Sequence, residues 1–174
     1  MFWFNLVSKI INVLHSDESP RSLAAGFALG AIVGLTPLWS LHNLFVFCLI
    51  FLINVSIPAA FFGIFLFSGF AYLLDPIFHQ IGYYLLVKVA FLKPCWTYLY
   101  NIPIAPLFRL NNTVVMGSLV TALLIFIPNY LGFTQVVCLY RLHFKERVDH
   151  WKVIQFLKAS NLYQSYLKIR AMGV

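Results

Sequence analysis

Between Ser22 and Leu74 the chain carries no Asp, Glu, Lys or Arg, a run of 53 residues in which polar side chains are the exception. A bilayer-spanning helix needs about 20 such residues, so the pattern predicts more than one membrane-embedded helix. The run is interrupted. In "GFALGAIVGLTPLWSLHN", Gly26 to Asn43, a proline stands at 37 and three polar residues follow it, Ser40, His42 and Asn43. Proline removes a backbone donor and clashes with the preceding turn, so residues 22–57 read as a hairpin broken or re-entrant at Pro37. A second apolar stretch, 58–92, is interrupted at Asp75-Pro76 and reads as a hairpin of full spans. A loop with Pro94, Pro103 and Pro106 occupies 93–111. Residues 112–140 are apolar again up to Pro128-Asn129 and beyond, and 141–174 form a polar, basic tail.

The first 18 residues have a different pattern. Trp3, Leu6, Ile10, Val13 and Leu14 fall on one helical face and Asn5, Ser8 and Asn12 on the other, which predicts an amphipathic surface helix. A helix packed on the rest of the protein fits the same pattern. The segment lacks a basic start and a small-residue cleavage site, so it does not read as a cleavable signal. Three parts result: a surface helix over 1–18, a polytopic membrane domain over 19–140 and a cytoplasmic tail over 141–174.

Charge adds orientation. The tail holds Arg141, Lys145, Arg147, Lys152, Lys158, Lys168 and Arg170 against Glu146 and Asp149, and the segment from Lys88 to Arg109 holds three basic residues and no acid. The positive-inside rule places both in the cytoplasm. One crossing by 112–140 would separate them. As a single helix this stretch spans roughly 44 Å at ~1.5 Å per residue, too long for a hydrocarbon core of ~30 Å and too short for two spans. A hairpin broken at Pro128 satisfies charge and length together, and one long tilted helix is the competing reading. An offset of 91 residues aligns Gly26 with Gly117, Pro37 with Pro128 and Trp39 with Tyr130. Such a weak internal repeat is typical of transporter-like folds with discontinuous helices.

Composition agrees with an all-α integral membrane protein. Hydrophobic residues make up 61% and charged residues 10% of the 174 positions, against about a quarter charged in soluble domains. Cys48, Cys95 and Cys138 are too scattered for a disulfide framework or a zinc site and read as small apolar filler. Zincin, nucleophile-elbow, phosphate-loop and Cys-x-x-Cys signatures are missing, so neither an enzyme nor a metal or other cofactor is expected. The tail clusters Val153, Phe156, Leu157, Tyr163 and Leu167 beside Lys152 and Lys168. That pattern suits a membrane surface or a docking partner better than nucleic acid.

Several residues are candidates for function. Asp75 is the sole carboxylate between Glu18 and Glu146, and it reads either as a turn and cap residue before Pro76 or as an intramembrane ionisable site. His79, four residues on, shares its helical face and completes a polar pair. Ser40, His42 and Asn43 either satisfy backbone freed at the break or form a head-group or solute site. Gly26, Gly30 and Gly34 repeat every four residues and read as a helix-packing face. Arg21, Arg109 and Asn112 stand at helix entrances. The arginines serve there as snorkelling anchors or as ligands for an anionic lipid phosphate.

At "SPRSLAAGFALGAIVGLTPLWSLHNL" and "NVSIPAAFFGIFLFSGFAYLLDPIFHQIGYYLL" the sequence resembles a family of small bacterial membrane proteins, catalogued as domain of unknown function two-thousand-and-sixty-two. Its pattern falls here on Pro20, Gly26, Gly30, Gly34, Pro37, His42, Asn54, Asp75, Pro76 and Gly82, with Gln common in place of His42 and Asn in place of Asp75. The "LNNTVVMGSLV" stretch and basic tail look like a subgroup from bacteria with an outer membrane, often gene-paired with a larger envelope protein. The resemblance therefore implies an inner-membrane subunit with such a partner. Together these readings lead us to expect a non-enzymatic protein, both termini cytoplasmic, that binds or passes a lipid or amphipathic solute. A ligand-free scaffold that anchors a partner through the glycine face and the basic tail, and a proton-coupled small-solute transporter using Asp75 and His79, are the alternatives.

Overall fold

The computed structural model describes Val13, Ser16 and residues 18–143. The N-terminal amphipathic face, apart from Val13, and the tail beyond His143 lie outside the described residues. Five α-helices carry the described chain: α1 (Pro20–Leu35), α2 (Leu41–Leu52), α3 (Ile57–Tyr83), α4 (Lys93–Tyr100) and α5 (Thr113–His143). No strand occurs among the described residues.

Local chemistry sets the ends. Ser19 caps α1 by accepting from Ser22 N at 3.1 Å, and Pro20 opens the helix where its missing N–H costs nothing. The helix stops at Thr36, extended at φ −101° and ψ 152°, because a residue before proline is pushed out of the helical region. Ser56 caps α3, with Pro58 in its first turn. Asn112 caps α5, its Oδ1 accepting from Val114 N at 2.9 Å and Val115 N at 3.3 Å.

α1 is the buried centre. From Leu23 to Leu35 almost every residue is buried, and the reason is glycine. A Cβ on Gly26 would overlap the Ser56 carbonyl, one on Gly30 the Ala60 carbonyl, and one on Gly34 would stand 2.7 Å from Ile64 O. Gly63 answers from α3, against Phe27 O. The constant step of 30 residues means that α1 and α3 run parallel in backbone contact. α5 runs the other way: Gly82 of α3 faces Thr113 O, and Gly117 of α5 faces Phe78 O. The Phe27 ring stacks on Phe133 of α5 at 4.0 Å and lies 5.5 Å from Phe62 of α3, so the three helices meet around it. α2 returns along this group through Val46 and Ile50.

Two expected hairpins are single helices. Residues 57–83 continue straight through Pro76 and close with a π turn over Tyr84–Lys88, and 113–143 continue through Pro128. An interior proline costs about 3 kcal/mol. A reversal leaves about four N–H and four C=O groups without helical partners at the two new ends. In apolar surroundings the uninterrupted helix wins unless side chains replace those bonds. The helices Ile57–Lys88 and Thr113–His143, 32 and 31 residues, are long and apolar enough to cross a membrane. Their outward positions are large and apolar, among them Phe65, Phe70, Leu73, Leu123, Leu124 and Ile127.

Contacts divide the chain into two units, Glu18–Thr134 and a second joining Met1–Asp17 with Gln135–Val174. In the second, the Arg141 guanidinium donates to Ser16 O at 2.7 Å, and the Ser16 hydroxyl donates to Val13 O at 2.9 Å.

Candidate functional site: the polar tip between α1 and α2

The turn from Leu35 to Leu41 gathers the densest polar network in the Glu18–Thr134 unit. Asn43, fully buried in the first turn of α2, reaches back across the break. Its Nδ2 donates to Pro37 O at 2.9 Å, and its Oδ1 lies 2.7 Å from the Thr36 hydroxyl. Thr36 also stands 2.8 Å from Ile32 O, so its single proton serves one acceptor at a time. Ser40 Oγ donates to Pro37 O at 2.9 Å and meets His42 Nε2 at 2.9 Å. With the Ser40 proton committed to the carbonyl, His42 must donate from Nε2. That tautomer leaves Nδ1 an acceptor. Nδ1 is buried without a partner, on a side chain only 7% exposed. Beside this network the tip exposes Pro37, Leu38 and Trp39, the indole at 87%.

The other candidates are dispersed. Arg21 lies exposed at the start of α1, level with Ser56, whereas Arg109 lies past α4, just before the Thr113 that faces Gly82. Some 26 residues of α3 separate those levels, roughly 39 Å at ~1.5 Å per residue. One head group cannot touch both arginines, which corrects the expectation that they share one. Asn112 spends its carbonyl on capping. The Asp75 carboxylate, half-buried in mid-helix, is not hydrogen-bonded or ion-paired among the described residues. His79 Nδ1 shares a 2.7 Å hydrogen bond with Thr113 Oγ1 instead of pairing with Asp75. Gly26, Gly30 and Gly34 are consumed inside the chain by α3. Among the described residues no three His, Cys, Asp or Glu come together at metal-binding distance. The three cysteines are free thiols.

Thr36 was not among the candidates, although it is the residue that closes the tip on the α1 side. The Thr-Pro dipeptide at the end of a glycine-rich helix carried the signal, since Thr before Pro is extended and free to back-bond its own helix.

The bacterial family described as "Uncharacterized protein conserved in bacteria (DUF2062)" matches residues 6–146. The chain belongs to this family. The match takes in every described residue and so the whole polar tip. An "Uncharacterized protein" of Treponema pallidum (strain Nichols) is 28% identical over 137 residues, covering 79% of this chain and 84% of that one. No solved structure matches.

Proposed function

We propose that this DUF2062 chain is a multi-pass protein of the bacterial inner membrane that binds or passes a lipid or amphipathic solute at the α1–α2 tip. The unpartnered His42 Nδ1 carries the reading, because of its depth. Gly34 packs beside Ile64, Phe67 and Ser68. With α3 crossing the bilayer, Ser68 lies roughly 17 Å from the Ile57 end at ~1.5 Å per residue, near the middle of a ~30 Å core. α1 and α2 then form a re-entrant hairpin with polar groups at mid-depth, where unsatisfied backbone is tolerated only in protein or beside a wet cavity. Side chains satisfy the backbone there. The acceptor left over is offered to a ligand donor such as a hydroxyl, amide or ammonium, and Leu38 and Trp39 offer apolar contact to the rest of an amphipath.

The reading carries a topology with it. α3 and α5 each cross once, so Lys88, Lys93 and Arg109 lie opposite the remaining nine of the 12 Lys and Arg. The charge majority puts the terminal segments in the cytoplasm and the loop at 89–112 outside. A larger envelope partner, implied by the family subgroup, would meet that loop. For the scaffold alternative the glycine face is covered by α3, which leaves it the basic tail, outside the described residues.

Native mass spectrometry of the protein gently extracted from its own membrane tests the reading. We expect a retained lipid or amphipath that is lost in His42→Leu and kept in Arg21→Gln. A chain free of any such molecule, or one whose bound lipid survives His42→Leu, would sink it.

A further inference from the structure

We propose that the segment 90–109 is a binding site for one anionic phospholipid, with an acyl chain in an apolar cavity and the head group at Lys93 and Arg109. The cavity, of about 280 Å³, lies between α4 and the 3₁₀ turn Ala105–Phe108, lined by Trp96, Tyr100, Ile102, Ile104, Phe108 and Leu110 among others. It falls just under the roughly 300–1,000 Å³ of ordinary small-molecule sites, which suits a length of hydrocarbon chain better than a whole amphipath.

Three further observations choose this occupant. First, the surface around the cavity is apolar: Phe91 is 81% and Tyr98 71% exposed, and Ile104 and Leu107 are exposed beside them. An exposed apolar patch of this kind marks a contact surface. It begins where α3 ends, at the level of a membrane interface, where Trp and Tyr concentrate. Second, charge is of one sign. No acid occurs between Asp75 and Glu146, and Lys93 and Arg109 are exposed, their side chains making no hydrogen bond or ion pair among the described residues. Lys93 lies one turn before Trp96, and Arg109 stands between two residues that line the cavity. Third, Arg109 has φ 53°, the one non-glycine residue in the left-handed region among the described residues. Gly or Asn takes that conformation more cheaply. An arginine there carries a guanidinium able to pair a phosphate bidentately, on a residue flanked by the lining residues Phe108 and Leu110.

The site rests on α3 and α5 crossing the bilayer and not on any ligand at the α1–α2 tip. Trp96 reports on it directly, because it lines the cavity while its Nε1 donates to Leu85 O at 3.2 Å. The full chain with Trp3, Trp39 and Trp151 changed to Phe would be placed in phosphatidylcholine nanodiscs. These would carry a minor fraction of chain-brominated phosphatidylglycerol or brominated phosphatidylcholine. Each basic residue near an anionic surface is worth ~1 kcal/mol, about fivefold in local occupancy. We therefore expect several-fold stronger quenching by the anionic lipid, reduced to parity in Lys93→Gln/Arg109→Gln. Equal quenching by both lipids in the parent chain would overturn head-group selection. No quenching by either would overturn lipid seating. Maleimide labelling of Cys95 in intact cells of the same strain, with Cys95 protected until the membrane is opened, would identify failure of the crossing itself.

Discussion

Thr36 and Asn43 meet across the break between α1 and α2 with 2.7 Å between Oγ1 and Oδ1, while Asn43 Nδ2 holds Pro37 O at 2.9 Å. One buried amide thus ties both sides of a turn whose backbone has lost its helical partners. Removing one member of a buried bonded pair costs ~1–3 kcal/mol for each group left unpaired. Asn43→Ala should therefore lower stability by about 2 kcal/mol or more, and Thr36→Val by less, since Ile32 O retains its helical bond from Thr36 N at 3.2 Å. Thermal unfolding in detergent, monitored by circular dichroism, checks the order. Equal stability of Asn43→Ala and wild type would mean that the tip is not closed by this amide.

Glycines divide into two groups that a substitution series separates. Gly30 and Gly117 face carbonyl oxygens of α3, which a Cβ would overlap, whereas Gly69 and Gly132 have nothing within 4 Å. Backbone cannot yield as a flexible side chain does. Gly30→Ala and Gly117→Ala should cost several kcal/mol or prevent folding. Gly69→Ala and Gly132→Ala should be neutral or stabilise by up to ~1 kcal/mol through helix propensity. Comparable losses at all four positions would contradict the parallel α1–α3 and antiparallel α3–α5 contacts.

The single crossing proposed for α5 makes Cys95 a natural topology reporter, exposed on α4 between the two long helices. An impermeant maleimide should label it from outside intact cells. With Cys48, Cys95 and Cys138 changed to Ser, an Arg170→Cys variant should be labelled only after the membrane is opened. Pro128→Ala should change neither result and should raise stability, because a proline inside a continuous helix costs up to ~3 kcal/mol. Protection of Cys95 in intact cells would restore the returning hairpin.

Helix type and the small-residue face were legible because charge-free length and four-residue spacing are read one residue at a time. The fate of each proline was not, since it depends on neighbours in space. At Pro37 the side chains of Thr36, Ser40 and Asn43 take up backbone groups that the helix gives up, and the chain turns. At Pro76 the adjacent Asp75 bonds to nothing described, and at Pro128 the Nδ2 of Asn129 is buried without a partner. No replacement bonds exist there, so both helices run on. The apparent repeat divides along the same line: Gly26 seats on the carbonyl of Ser56, the cap of α3, and Gly117 on that of Phe78 within α3, but Pro37 ends a helix and Pro128 does not. Arg21 and Arg109 looked alike as helix entrances, and only the direction of α1 along α3 places them apart.

His79 belongs to Thr113 and not to Asp75, and a double-mutant cycle measures the difference. The hydrogen bond joins α3 to the first residue of α5. Its net worth should be ~0.5–1.5 kcal/mol. His79→Ala and Thr113→Val should couple by that amount in reversible unfolding, while His79→Ala and Asp75→Asn should be additive within ~0.5 kcal/mol. Asp75→Asn alone should leave stability nearly unchanged, as it breaks no bond among the described residues. Strong coupling between Asp75 and His79 would revive the paired site and, with it, proton-coupled transport. Additivity would leave Asp75 acting alone, without a neighbouring base to pass a proton to.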